Sequence, residues 1–486
     1  MGRHAQQRIV IGLLAGFAGL GGLAAAGCGD NIYDPFTALV RVSGPSPFGA
    51  GCGGAQQGAS FRGVEVEPSV AVDPANPSHL VGAWQQDRWS NGGSNGIGTA
   101  ASFDGGLTWA TGVPRFSRCS GARAGGGADY ERATDPWVTF AADGTVFLAA
   151  LVFDATSPRN AMIASRSSDG GVTWSEPAVL RADADPDVLN DKDAATADPT
   201  DPGRVYVVWD RLTGQTQRSQ PVGTGPTWFA RTTDGVWEPA RPIFDPGTDA
   251  QTIGSVIVVL PDGALVNVFD LITHTSSTTP DYMVAAIRSV DHGLTWSAPA
   301  LLGRLRSVGV EDPDHHVFVR TGASLPQAAV DRASGAIYVA WQNLPDAAAV
   351  DAITLVRSVD GGVSWSAPVV VNGAHDAAAF TPSLAVAADG TVGVTYYDVR
   401  DPRPHDPDAF RVTPWLATSH DRGVTWSDEA LSQPFDLRPA LLQNAYFLGD
   451  YQGLVAVGDG FVPFFVAATQ SGDGDDRTDV FVRPLK

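Results

Sequence analysis

Ser358-Val-Asp360-Gly-Gly-Val-Ser364-Trp365 is the stretch that decides the reading of this chain, because it returns. Its other full copies are Ser102-Phe-Asp104-Gly-Gly-Leu-Thr108-Trp109, Ser167-Ser-Asp169-Gly-Gly-Val-Thr173-Trp174, Ser289-Val-Asp291-His-Gly293-Leu-Thr295-Trp296 and Ser419-His-Asp421-Arg-Gly423-Val-Thr425-Trp426. A shortened copy is Thr232-Thr233-Asp234-Gly235-Val236-Trp237. The Asp positions 104, 169, 234, 291, 360 and 421 have a mean spacing of about 63 residues. A fixed period around one shared turn marks a repeat architecture.

The phrase is turn chemistry. An Asp carboxylate accepts hydrogen bonds from N–H groups a few residues on, and Gly supplies a positive φ. Ser and Thr hydroxyls close further local bonds. The Trp opens the next strand and can lie under the turn as a plug. Each copy is therefore expected to be a hairpin turn with a small core of its own.

Composition agrees with an all-β chain. The seven Glu and two Lys leave helices short of their usual formers, while 55 Gly and 34 Pro, with many Val and Thr, suit strands and turns. With 486 residues the chain can bury a large core. The net charge of −21 and pI near 4.6 argue against nucleic acid or an anionic bilayer surface as partner.

At the N-terminus, Arg3 and Arg8 precede an apolar run from Ile9 to Ala26, followed by Gly27-Cys28. A basic head, an apolar stretch and small residues make an export signal over residues 1–28. Ala25-Ala26-Gly27-Cys28 resembles a lipoprotein cleavage box, with lipid on Cys28; ordinary cleavage after Ala26 is the other reading. The expected product is exported, lipid-anchored in the cell envelope or secreted, and touches membrane only through that anchor. Cys52 and Cys119 remain as an even pair in an oxidising compartment and are expected to join, pinning residues 29–60 to the first repeat.

The pattern Ser-x-Asp-x-Gly-x-Thr-Trp resembles the Asp box, or bacterial neuraminidase repeat, of the sialidase-like β-propellers. The resemblance covers nearly all of the chain after about residue 60. It implies that residues 61–486 form a propeller of four-stranded antiparallel blades. It also implies that Asp104, Asp169, Asp234, Asp291, Asp360 and Asp421 are structural residues on the face away from any active site.

Two strand-like runs precede each copy, as in Pro68–Val72 with His79–Trp84, or Pro382–Val386 with Thr391–Tyr396. Asp-Gly pairs such as Asp143-Gly144 and Asp389-Gly390 join them as hairpins. A seventh set, Tyr451–Val457, Phe461–Ala467 and Thr478–Val482, has no copy of the phrase and needs a fourth strand. Phe36–Val42 can supply it. The expected fold is a seven-bladed β-propeller closed by an N-terminal strand, which leaves no open edge. Six blades plus an appended hairpin is the alternative.

A site is expected on the opposite face, at the entries to first strands and the exits from second strands. The resemblance implies arginines that grip a sugar carboxylate bidentately, a carboxylate acid/base and a Tyr nucleophile. Phe61-Arg62 stands where that family has its first arginine, and Asp87-Arg88 falls near its next arginine and aspartate. The candidates are thus Asp87 and Tyr451 for catalysis, and Arg62, Arg88, Arg211 and Arg400 for binding, with Arg320 also eligible. The bland reading of the same residues is ion pairs that lock loops. Asp473–Asp479 and Asp183–Asp187 could hold Ca²⁺, but neither has EF-hand spacing, so solvated loops are preferred; no metal or cofactor is expected. Two functions stay open: an exported sialidase-like glycoside hydrolase acting on extracellular glycans, or a non-catalytic surface propeller binding glycan or protein. Either is expected to be a monomer whose partner is a glycan or surface glycoprotein.

Overall fold

The computed structural model describes residues 38–485 except 55–57, 215–223, 234, 275–279, 402–405, 443 and 470–476. Cys28, Asp234 and most of the acidic run after residue 472 lie outside the described residues. So does the leader reading. The described backbone is strand and turn, with one three-residue 3-10 turn at Arg438–Ala440 and no α-helix. None of its helices is long and apolar enough to cross a membrane.

Strands pair with their chain neighbours in successive antiparallel sheets. The first sheet runs Glu65–Asp73, Asn76–Arg88, Ser94–Ser102, Ala110–Gly112. Six further sheets follow the same plan, and the strands that open the seven are labelled here β1 Glu65–Asp73, β2 Arg132–Phe140, β3 Val188–Ala197, β4 Ala250–Val259, β5 Gln327–Val330, β6 Ala379–Val386 and β7 Gly453–Val457. A single bridge, Ser94 to Ala133, joins the first two sheets. Each opening strand packs against the next, and β7 packs against β1.

The last sheet takes its fourth strand from the other end of the described chain. Val40 and Arg41 pair antiparallel with Val482 and Phe481, and the Val42 N–H donates to the Val480 carbonyl at 2.8 Å. One further small sheet has no counterpart in the sequence reading. There Val317–Arg320 lies parallel to Ala445–Phe447, which brings residues before β5 beside residues before β7.

Apolar residues alternate along the strands and meet between neighbouring sheets. Ala149, Leu151 and Met162 of the second sheet pack on Ala195, Val207 and Trp209 of the third. Trp84, Trp209 and Trp341 are fully buried. Gly98 is required beside Trp84, since a Cβ there would lie 2.5 Å from the indole nitrogen.

The repeated turns close on themselves. Asp104 Oδ1 accepts from the Leu107 and Thr108 N–H groups at 3.0 and 2.9 Å, and Oδ2 accepts from the Thr108 hydroxyl at 2.6 Å. The Ser102 hydroxyl accepts from the Gly106 N–H at 2.9 Å. The hydroxyl and backbone bonds from Thr108 hold the Asp104 carboxyl down at about 2. Asp169, Asp291, Asp360 and Asp421 make the same two bonds to the N–H and hydroxyl of the Thr or Ser four residues on. Cys52 and Cys119 are joined by a disulfide, with Cα atoms 5.5 Å apart.

Candidate functional site

Five of the opening strands carry the same irregularity near their start. Register slips between Val66 and Ser69, Thr134 and Trp137, Asp191 and Ala194, Ile253 and Val256, and Phe380 and Ser383. The first bulged residue is left-handed each time: Glu67 at φ 55°, Asp135 at 53°, Lys192 at 45°, Gly254 at 71° and Thr381 at 50°. Pro68, Pro136 and Pro382 follow three of them; proline lacks an N–H and suits an unpaired ladder position. A left-handed non-glycine residue costs roughly 1–3 kcal/mol and persists only where surroundings over-determine it. The bulge re-aims one side chain per strand at the end of the sheets opposite the repeated turns.

Glu67 and Asp135 meet Lys192 there, whereas Gly254 has no side chain and the Thr381 hydroxyl donates to the Thr321 carbonyl at 2.8 Å. Lys192 Nζ lies 2.7 Å from Asp450 Oδ2, 3.0 Å from Asp135 Oδ1 and 3.2 Å from Glu67 Oε1. The partners come from β1, β2 and the residues just before β7. Arg320 donates from Nε to Asp450 Oδ1 at 2.8 Å and grips the second oxygen with Nη2. Gln85 donates to Glu67 and accepts from Arg88 Nη1 at 2.5 Å. Arg88 and Arg320 both lie against the Phe447 ring, at 5.1 and 4.6 Å from its centre. Asp450 reaches in because Gly322, at φ 63°, lacks a Cβ that would stand 2.0 Å from the Asp450 carbonyl.

The carboxyls of this cluster are driven apart in acidity. Burial pushes Glu67 up to about 8, with Asp135 and Asp450 adding to the rise and Lys192 opposing it. Burial also opposes ionisation of Asp135, but Lys192, with hydrogen bonds from Glu67 and from Lys192 itself, overrides it and holds the carboxyl below its usual range. Asp450 is likewise held low, because Lys192 and Arg320 outweigh its burial. At neutral pH Glu67 therefore keeps its proton while Asp135 and Asp450 are ionised. Burial raises Asp191 to about 6, Asp210 to about 7 and Asp270 to about 8.

Three of the residues singled out from sequence belong here, Arg320 among them. Arg88 is in the cluster. Tyr451 is buried beside it, its ring centre 6.0 Å from Lys192 Nζ and 5.4 Å from the Trp137 ring, and its hydroxyl donates to the Pro136 carbonyl at 3.1 Å. Burial and the surrounding carboxylates, Glu67 first among them, raise the phenol well above its usual value.

The other four stand elsewhere. Asp87, at φ 62°, accepts from the Ser46 hydroxyl at 2.7 Å, the Gly63 N–H at 2.9 Å and the Gln86 and Asn95 amides at 3.2 Å each, so it organises the N-terminal segment. Arg62 is exposed and donates to the Ser46 carbonyl at 3.5 Å. Arg211 holds Asp183 in a two-point grip at 3.0 and 2.7 Å. Arg400 holds Asp398 at 2.6 Å and Asp428 at 2.9 Å, over the Trp415 ring. Arg62, Arg211 and Arg400 do not converge on one pocket. Two of them are matched to neighbouring carboxylates.

Glu67, Asp135, Asp191-Lys192-Asp193 and Asp450 stand at the strand entries where a site is expected from sequence, yet none of them is among the candidates named there. A signal was present. Lys192 is one of two lysines in the chain and has an Asp on either side. Among the described residues no group of three or more His, Cys, Asp and Glu is arranged to hold a metal ion.

No protein-family model and no curated protein matches this chain. Solved structures do. A Hadza microbial sialidase is 16% identical, with 84% of this chain and 75% of that one covered and a TM-score of 0.47. The α-L-arabinanase of Penicillium chrysogenum, complexed with arabinobiose, is 12% identical, covers 92% and 97%, and has a TM-score of 0.46. A variant of NanB sialidase from Streptococcus pneumoniae is 12% identical, covers 93% and 71%, and has a TM-score of 0.44. The structural neighbours are thus sialidases and arabinanases.

Proposed function

We propose that the seven sheets are the blades of a closed β-propeller and that the chain is a glycan-acting enzyme, a glycoside hydrolase working from the Lys192 end of the sheets. The observation that carries this reading is one buried cluster in which Glu67, Asp135 and Asp450 surround Lys192, with burial pushing Glu67 up and Lys192 holding the other two down. Glycoside hydrolysis needs one carboxyl that gives a proton to the leaving oxygen and another that stays charged as base or nucleophile. Glu67 takes the first role, and Asp135 or Asp450 the second. Lys192, Arg88 and Arg320 are the cations that would hold an acidic or hydroxyl-rich sugar.

A sialidase-type substrate is the finer form of the proposal. Its carboxylate would go to Arg320 and Arg88 rather than to Arg62, Arg211 and Arg400. Tyr451 is assigned a packing role, since its surroundings oppose loss of the phenol proton. Export, with a lipid anchor on Cys28 or free secretion, would place the enzyme with extracellular glycans as a monomer.

The test is turnover of a panel of aryl sialosides and arabinofuranosides. Wild type should release the aglycone from at least one. Glu67→Gln should slow substrates with poor leaving groups about 10²–10⁴-fold, and nitrophenyl substrates much less, as loss of a general acid does. No turnover of any member by wild type would sink the hydrolase reading.

One observation favours a second reading. All three donors of Lys192 are taken by carboxylates from separate sheets, and its side chain is 11% exposed. A cluster satisfied in this way can lock the first, second, third and last blades together in a non-catalytic propeller that binds glycan or protein elsewhere.

A further inference from the structure

The repeated turns present a surface that neither the fold nor the Lys192 cluster accounts for. At the residue after the second Gly of the phrase, every copy carries an aliphatic side chain: Leu107, Val172, Val236, Leu294, Val363 and Val424. All six are exposed, at 45–69%. Most of the large apolar residues exposed anywhere on the described chain belong to these turns. Scattered exposed apolar residues need no explanation, but a set at one repeated position does.

The turns adjoin one another in chain order. His79 Nε2 lies 2.9 Å from the Gly170 carbonyl and its ring stacks on Phe103, linking the first to the second. Arg231, just before the third turn, donates to the carbonyl of His292 in the fourth at 2.5 Å. Arg288, just before the fourth, lies beside Gly361 of the fifth. Arg357, just before the fifth, donates to the carbonyl of Arg422 in the sixth at 2.7 Å. The aliphatic tips therefore share one face, with Arg231, Arg288 and Arg357 between neighbouring turns.

The described chain also enters at this face. Val40 pairs with Val482, and a Cβ on Gly106 of the first turn would lie 3.7 Å from Val482. Nine residues lie between Cys28 and position 38, ten steps along the backbone. Even fully extended they span at most about 35 Å.

We propose that this face rests on a lipid bilayer, with the aliphatic tips in the interfacial layer. The inference adds to the lipid-anchor reading of Cys28 and does not involve the Lys192 cluster. Single tips spaced one per sheet suit a fluid surface, which accepts any spacing, better than a protein partner, which must match each one. The chain's net charge of −21 leaves no attraction to anionic lipid, so the contact is apolar and needs a tether to persist.

Full-length protein is reconstituted with phosphatidylcholine vesicles carrying brominated acyl chains. An environment-sensitive fluorophore is placed at Leu107→Cys, at Val363→Cys or, on an exposed loop at the opposite end of the sheets, at Ala349→Cys. Positions 107 and 363 should be quenched at least threefold more than position 349. Replacing Leu107, Leu294, Val363 and Val424 together by Ser should abolish the difference while leaving thermal unfolding unchanged. Equal quenching at all three positions, or none, overturns the proposal. So does a concentration-dependent dimer in lipid-free buffer that the same serine variant disrupts, since the face would then belong to a second copy. Mass spectrometry of residue 28 reads acylation separately, so failure of the anchor is distinguishable from failure of the face.

Discussion

Replacing Lys192 by Met removes the one cation shared by three buried carboxyls while keeping a similar side-chain length. Asp135 then loses its cation in a site where its side chain is 3% exposed, while Asp450 keeps Arg320. Removing one partner of a buried ion pair costs about 3–5 kcal/mol, because the remaining charge stays buried. For about 450 folded residues the unfolding entropy is about 0.9 kcal/mol per kelvin, so the melting temperature should fall by about 3–5 °C at pH 7. The deficit should depend on pH in a fixed direction. In wild type both carboxyls titrate below their usual range, so they contribute stability above about pH 4 and lose it as pH falls through their lower folded values. Without Lys192, burial raises Asp135 and its contribution disappears, while Asp450 keeps the part that Arg320 supplies. Wild type and variant should therefore converge as pH drops below about 4. Scanning calorimetry from pH 3 to 8 reads this directly. A Lys192→Met protein that melts within 1 °C of wild type at pH 7 would refute the idea that this cluster ties the sheets together.

Other perturbations follow from the same geometry. Glu67→Gln should melt about 3 °C above wild type at pH 7, because folding there forces the wild-type carboxyl to take back a proton that the unfolded chain has released, a cost the amide escapes. Glu67 has a folded value of about 8 against 4.5 unfolded, so its contribution is full below 4.5 and lost as pH rises through 8. Wild type should thus lose stability relative to the variant between about pH 4.5 and 8, and parallel curves over that window would contradict the assignment. Gly322→Ala forces a Cβ against the Asp450 carbonyl and should cost roughly 1–3 kcal/mol, seen as a lower denaturation midpoint. Reducing the Cys52–Cys119 bond, which spans 67 residues, should cost about 4 kcal/mol by chain entropy, seen as a lower melting temperature with dithiothreitol.

The turns were legible because their chemistry is local. Asp104, Ser102 and Thr108 bond to one another within a few residues, so pattern and structure coincide. The strand pairs before each turn, and the pairing of Val40 and Arg41 with the last strand, also follow from alternation and from the need to cover an edge. The small sheet joining Val317–Arg320 to Ala445–Phe447 left no such trace, because parallel strands 120 or more residues apart share no local signal. Arg211 and Arg400 looked like binding arginines for a related reason. From sequence their two-point carboxylate partners could as well have been substrate.

The repeat period, the all-β character and the inward turn of the Asp carboxylates were determined by the sequence alone, since each rests on contacts within one hairpin. Which charged residues gather was decided only by tertiary structure. A bulge of one residue rotates a side chain out of its alternation, and the same bulge in successive opening strands brings Glu67, Asp135 and Lys192 together with Asp450 from the far end of the chain. Their acidities, and any chemistry they perform, come from that burial and mutual proximity rather than from any neighbour in sequence.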